Sequence, residues 1–226
     1  MKRFISFFSA ILLSLPAFCS DSLTVFYRIR IDQDIDQSSQ RLVTSGLEKA
    51  LAADADYVML DLDTYGGALN AADSIRSAIL RFEKPVIAFV NMQAASAGAL
   101  ISIACDSIYM KTGASIGAAT VVNQTGEVMA DKYQSFMRGM MRATAEAKGR
   151  DPKIAESMTD TANVLSMTPT EAVAAGYCEG ICESEYEVAE KVTGGNEFVI
   201  KNMDEDMTWL DKLIQFLLNP LLQSIF

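Results

Sequence analysis

Two periods of apolar and polar positions alternate along this chain. Leu23 to Ile31 is β-branched and aromatic and alternates in part, which predicts a strand. After the polar stretch Asp32–Ser39, Leu42, Leu47, Ala50 and Leu51 recur at roughly helical spacing, which predicts a helix over 41–53. Tyr57–Leu62 predicts a second strand. Ala68–Phe82 predicts a second helix, with Leu69, Ala72, Ile75, Ile79 and Phe82 on one face. Pro85–Val90 reads as a buried strand and Ala97–Ala104 as a third helix. Strands alternating with helices imply an α/β fold, with a mainly parallel sheet flanked by helices.

The second half is less regular. Asp106–Lys111 predicts a short strand, Thr112–Gly117 a glycine-bracketed turn and Asn123–Glu127 a polar loop. A long helix follows over 131–148, with Lys132, Phe136, Gly139, Met140 and Ala143 sharing one stripe. Asp151-Pro152 opens a short helix to about Met158. Thr168-Pro169-Thr170-Glu171 opens another that ends at Gly176. Tyr177–Cys182 suits a short strand and Glu185–Val192 a small acidic helix.

The two ends differ from this core. Basic Met1-Lys2-Arg3, apolar Phe4–Leu15 and small residues up to Ser20 have the layout of a secretory signal peptide over 1–20, or of an uncleaved anchor. Either places the folded part outside the cytoplasm, periplasmic or membrane-associated. Trp209–Phe226 is apolar, with Leu210, Ile214, Leu217, Leu221 and Ile225 at helical spacing. It falls a little short of the ~20 residues that cross a bilayer and contains Asn219-Pro220. The organisation expected is therefore one domain over 21–195 and a linker with an apolar helix over 196–226. A chain of 226 residues, half of them apolar, can bury one sizeable core.

Composition narrows the chemistry. A net charge of −10 and a pI near 4.5 argue against nucleic-acid binding, which needs a basic face. There is no histidine, which excludes a Ser-His-Asp triad, a Cys-His pair and a His-Glu-x-x-His zinc site. Lysine is then the leading base, because burial disfavours its charged form. Cys105 suits a core position, and Cys178 and Cys182 either close a small disulfide or stay free. A zinc site there would need two more ligands, and no cofactor is implied.

Three places carry candidate chemistry. Ser96 stands where a strand turns into a helix, as an N-cap or as a nucleophile. Gly66-Gly67 lies just past a central strand, where sites in such sheets form. Two glycines leave backbone N–H groups open to a cavity, so the pair is an oxyanion hole or an ordinary turn. Lys132 falls in the first turn of a helix, on its apolar stripe. There burial and the positive end of the helix dipole both disfavour an ammonium, although most helical lysines are simply solvated.

Taken together, five segments resemble the ClpP-class serine protease domain of the NfeD family of membrane-bound proteases. They are Asp61–Gly67, Ala94–Ala99, Asp106–Ala118, the helix from Lys132 to Gly149-Arg150, and Leu165–Ala172 ending at Gly176. The resemblance covers about 23–192 and implies a ClpP/crotonase-like fold and a serine endopeptidase. By resemblance the nucleophile is Ser96 and the base Lys132. The oxyanion hole uses the N–H groups of Gly67 and Ala97, with Gly66 shaping the turn. It further implies apolar, membrane-proximal cleavage sites in protein substrates, with stomatin-like membrane proteins among the candidates. Partners would include a second copy in a homodimer or larger oligomer, and a membrane through the C-terminal helix. The chain departs from the family in having Tyr65 where proline is usual and Asp32-Gln33 where a glycine is usual. Many members also continue into membrane helices and an OB-like domain. A catalytically inactive ClpP-like scaffold and a crotonase-type acyl-CoA enzyme are the alternatives. Export and acidity weigh against the latter.

Overall fold

The computed structural model of the chain describes residues 23–123 and 125–205, with 209 and 213. The expected leader over 1–20 and most of the apolar C-terminal helix lie outside the described residues. Among the described residues, no helix is long and apolar enough to cross a membrane.

The first half follows the hydrophobic periods closely. β1 (Thr24–Ile31), α1 (Gln37–Ala52), β2 (Tyr57–Thr64), α2 (Leu69–Arg81), β3 (Val86–Ala95) and α3 (Ala97–Ala104) come in strict alternation. β1, β2 and β3 pair in parallel. Period-2 alternation splits each strand between two faces. Tyr27, Ile29, Ile31, Val58, Leu60, Leu62, Val86, Ala88 and Val90 face the main core, with residues of α1 to α4. Phe26, Met59, Ile87 and Phe89 face a smaller core closed by Val188 and Ala189 of α7 (Glu185–Thr193). Burying both faces of a parallel sheet accounts for the near-continuous apolar runs of these strands.

The rest of the chain extends this sheet. β4 (Ser107–Met110) and β5 (Ser115–Gly117) both lie beside β3, β4 against its first half and β5 against its last three residues. α4 (Asp131–Ala147) and α5 (Pro152–Ser157) follow, then β6 (Ser166–Met167), α6 (Pro169–Ala174) and β7 (Gly180–Ile181). After α7, β8 (Phe198–Asn202) returns to the edge beside β1. The sheet runs β6-β5-β3-β2-β1-β8, with β4 between β3 and β7, and only the β5–β6 pair is antiparallel.

Three expectations change here, and one open alternative is decided. α1 starts at Gln37, not Arg41, because Asp36 and Ser39 form a reciprocal capping box that the polar stretch concealed. Ser115–Gly117, expected as part of a turn, is strand β5. Residues 198–202, expected in a linker, form a sheet strand, held by five parallel pairings with β1. Cys178 and Cys182 are free thiols, both buried. By contrast, Asp151 caps α5 with Pro152 in its first turn, and Thr168 and Glu171 form the capping box of α6, as their spacing suggested.

Candidate active site

β3 delivers Ser96. The strand ends at Ala95, and Ser96 takes φ +54°, ψ −114° before α3 begins at Ala97. This lies outside the basins open to L-residues with a side chain and costs on the order of 1–3 kcal/mol. The surrounding contacts hold it. Ala95 pairs with Gly117 of β5, and the Ser96 N–H donates to the Gly117 carbonyl at 2.8 Å. Ser96 occupies the N-cap position, yet its side chain makes no cap bond. The N-cap reading of its hydroxyl therefore fails, and Oγ is left for other chemistry.

The Gly66-Gly67 turn abuts this serine. A Cβ on Gly66 would lie 2.6 Å from Ser96 Cβ and 3.1 Å from Ser96 Oγ, at a backbone φ of +112°. Only glycine admits the turn so close to the hydroxyl. Gly67 lies against the chain on its other side. A Cβ there would sit 2.7 Å from Ile35 N and closer still to the Ile35 carbonyl oxygen. Ile35 and Gly67 form a parallel bridge, with the Ile35 N–H donating to Gly66 O at 2.8 Å and Ala68 N–H to Ile35 O at 2.6 Å.

That bridge sets the direction of a donor. Gly66 C=O and Gly67 N–H belong to one trans peptide, so they point opposite ways. With the carbonyl on Ile35, the Gly67 N–H points to the other side of the turn. Among the described residues it donates to no acceptor. The Ala97 N–H, first in α3 and buried, is likewise unpaired, as the opening N–H groups of a helix are. Gly66 thus lies against Ser96, with Gly67 and Ala97 next to them in the chain.

Lys132 is placed differently. It lies in the first turn of α4, as expected, but it is exposed. The buried face of α4 is Gln134, Met137, Met140, Met141, Thr144 and Ala145, whereas Phe136 is 57% exposed. Of the expected stripe Lys132, Phe136, Gly139, Met140 and Ala143, only Met140 is buried, so the stripe lies off the core face. Lys132 Nζ stands 4.8 Å from the Tyr133 ring centroid, over its face. No hydrogen bond or ion pair joins it to Ser96 or to another described residue. Gln134, one turn into the same helix, is 1% exposed and clamps the preceding loop. Its side chain bonds both N–H and C=O of Val121, at 3.1 and 2.7 Å.

Sequence reading missed three supports. Thr64, buried at the end of β2, accepts the Gly66 N–H on Oγ1 at 3.2 Å. Ile35 orients the turn through its backbone. Arg150, also buried, donates to the carbonyls of Ile103 and Cys105 at the far end of α3. A hydroxyl residue two places before a glycine turn is the signal that marks Thr64. The thiols offer no competing nucleophile. Burial pushes Cys105 up to about 12, Cys178 up to about 11 and Cys182 upward, so all three stay protonated and unreactive. Among the described residues no cluster of side chains could hold a metal ion.

Membrane protein NfeD1b of Bacillus subtilis is 30% identical over 210 residues, covering 88% of this chain and 47% of that protein. Membrane-bound protease PH1510 of Pyrococcus horikoshii is 28% identical over 187 residues, covering 74% of this chain and 42% of that one. The chain therefore spans under half the length of these relatives. The 1510-N membrane-bound stomatin-specific protease, solved as a lysine-to-alanine mutant with a substrate peptide, shares the fold at a TM-score of 0.75 and 24% identity. That likeness covers 87% of this chain and 98% of the other. The model of the NfeD1b N-terminal domain matches residues 25–201, most of the chain, and the chain belongs to that family.

Proposed function

We propose that the chain is a serine endopeptidase with a Ser-Lys dyad. Ser96 is the nucleophile and Lys132 the general base. The N–H groups of Gly67 and Ala97 form the oxyanion hole, and Gly66 shapes the turn. The observation that carries this reading is the strained backbone of Ser96, held against a glycine turn with an unpaired N–H. Strain of this kind persists where the surroundings enforce it, and a serine hydroxyl with no cap bond, with unpaired backbone N–H groups on Gly67 and Ala97, suits this chemistry. Two structures of the 1510-N protease support the pairing, one with a lysine and the other with a serine replaced by alanine.

In this reading the neutral Lys132 amine takes the Ser96 proton as Oγ attacks the scissile carbonyl. The carbonyl oxygen becomes an oxyanion between the two N–H groups. The C–N bond breaks and Lys132 passes the proton to the leaving amine. Water, deprotonated by Lys132, then releases the acyl group and Ser96 regains its proton. Substrates are protein segments of apolar, membrane-proximal character. A stomatin-like membrane protein is a fitting candidate, given the specificity that names the 1510-N protease. The same reading includes export from the cytoplasm, self-association and attachment to a membrane through 209–226. A scaffold without activity is the second reading, favoured by the exposed Lys132, which lacks a bond to Ser96.

Labelling with a fluorophosphonate separates the two. Here Ser96 Oγ displaces fluoride from phosphorus and its proton passes to the base. The wild type is expected to label at mildly alkaline pH. Ser96→Ala abolishes labelling, and Lys132→Ala slows it by roughly 10²–10⁴-fold, the usual contribution of a general base. Equal labelling of Ser96→Ala would remove the assignment, and a wild type that never labels would favour the scaffold.

A further inference from the structure

Gly66 and Gly67 have no side chains and Tyr65 points to solvent, so other groups must hold the two peptides of the turn. The second of them, Gly66–Gly67, is fixed by the Ile35 N–H on Gly66 O. The first, Tyr65–Gly66, is fixed by a side chain, because the Gly66 N–H donates to Thr64 Oγ1 at 3.2 Å within a buried environment. Thr64 is 2% exposed. Its backbone pairs with Ala94 in β3, past an irregularity between Leu62 and Thr64 that lets the strand end turn toward the serine.

The other branch of Thr64 faces the nucleophile helix. A Cβ on Gly98 would lie 2.8 Å from Thr64 Cγ2, so that methyl packs directly on the first turn of α3. One side chain thus touches both carriers of oxyanion donors. Its hydroxyl holds the turn that bears the Gly67 N–H, and its methyl bears on the helix that begins with the Ala97 N–H. The β-branch makes this rigid, because threonine has few χ1 positions to choose from. Held by its pairing with Ala94, its hydrogen bond to Gly66 and its packing on Gly98, Thr64 has little freedom to move.

We propose that Thr64 is a positioning residue for the oxyanion hole. It sets the distance and direction between the Gly67 and Ala97 N–H groups through its bond to Gly66. Its effect therefore falls on the reaction step, when charge develops on the oxygen, and not on substrate binding. This rests on the proposed Ser96 chemistry.

The test uses the full chain and the fluorophosphonate, with maximal labelling rate and half-saturating concentration measured separately. Thr64→Ser and Thr64→Ala both lack the methyl and differ in the hydroxyl alone. Thr64→Val keeps the shape and loses the acceptor. Thr64→Ser is expected to keep the maximal rate within about threefold of wild type, because its Oγ still accepts the Gly66 N–H. Thr64→Ala and Thr64→Val are expected to lose at least about tenfold in maximal rate, with the half-saturating concentration unchanged. If Thr64→Val does not fold, the Ser/Ala pair decides alone. Equal maximal rates for Thr64→Ser and Thr64→Ala would overturn the inference, as would a loss confined to half-saturation. A wild type that does not label would instead sink the Ser96 reading, so the two failures are distinct.

Discussion

The two halves of the candidate dyad are built to different standards. Ser96 lies at the end of a strand paired on both sides, and α3 behind it is buried along its whole length. Its donors are oriented by Ile35 and Thr64, and Arg150 satisfies carbonyls at the opposite end of α3. Lys132 stands on the exposed face of α4, over Tyr133, with only the neighbouring loop clamped by Gln134. The surroundings of Ser96 and of the Gly67 and Ala97 N–H groups are preorganised, and those of Lys132 are not. That division has a physical basis. An oxyanion hole gains its effect from donors that need no reorganisation at the moment of reaction. A lysine reaches its partner through four rotatable bonds and tightens its contacts when substrate excludes water.

The largest effect should come from disturbing the rigid half. Gly67→Ala places a Cβ inside contact distance of the Ile35 backbone, at a φ of +151°. The bridge to Ile35 must open, and the Gly67 N–H then loses its direction. We expect fluorophosphonate labelling to fall by about 10²–10³-fold, the cost of losing one oxyanion donor. Unfolding should also come at lower temperature. Labelling within threefold of wild type in a folded Gly67→Ala protein would show that the turn is not the oxyanion site.

A smaller effect tests the strain itself. Ser96→Ala keeps a side chain at φ +54°, whereas Ser96→Gly removes the steric penalty. Relief of about 1–3 kcal/mol is offset in part by the ~1 kcal/mol that glycine loses through unfolded-state freedom. Ser96→Gly should therefore be more stable than Ser96→Ala by about 1 kcal/mol in denaturant titration. Equal stability would mean that the turn stores no strain at Ser96.

The same contrast governs what could be read from the sequence. The first six elements were legible because their apolar positions hold a period of two or of about 3.6 and are buried accordingly. The placement of Ser96 and of Gly66-Gly67 at strand ends was legible for a related reason. A serine and a glycine pair at strand ends are local signals, and their geometry is set by strands that the pattern reveals. β5 and β8 were not legible, since Ser115–Gly117 has only three residues and Phe198–Asn202 is a half-buried edge strand, and the strand character of both comes from pairing with distant chain. The face of α4 was misread because its core carries polar Gln134 and Thr144 while apolar Phe136 is exposed. Gln134 is buried to bond Val121, a long-range role that no helical period records. Thr64 was visible inside a motif, but its hydroxyl bond depends on how the chain turns after β2.

The smallest predicted effect probes the loosely held half. The Lys132 ammonium over the Tyr133 ring is an exposed cation–π contact, worth about 0.5–1 kcal/mol. It competes with any bond from the amine to Ser96. Tyr133→Ala removes the competitor without touching the α4 core, because Tyr133 is 38% exposed and outside the buried stripe. Converted at tenfold per 1.4 kcal/mol, Ser96 should then be labelled by the fluorophosphonate about two- to fivefold faster, with thermal stability nearly unchanged. A tenfold loss would instead mean that the Tyr133 ring positions Lys132 for the reaction. The base would then be as preorganised as the serine, and the difference between the two halves would disappear.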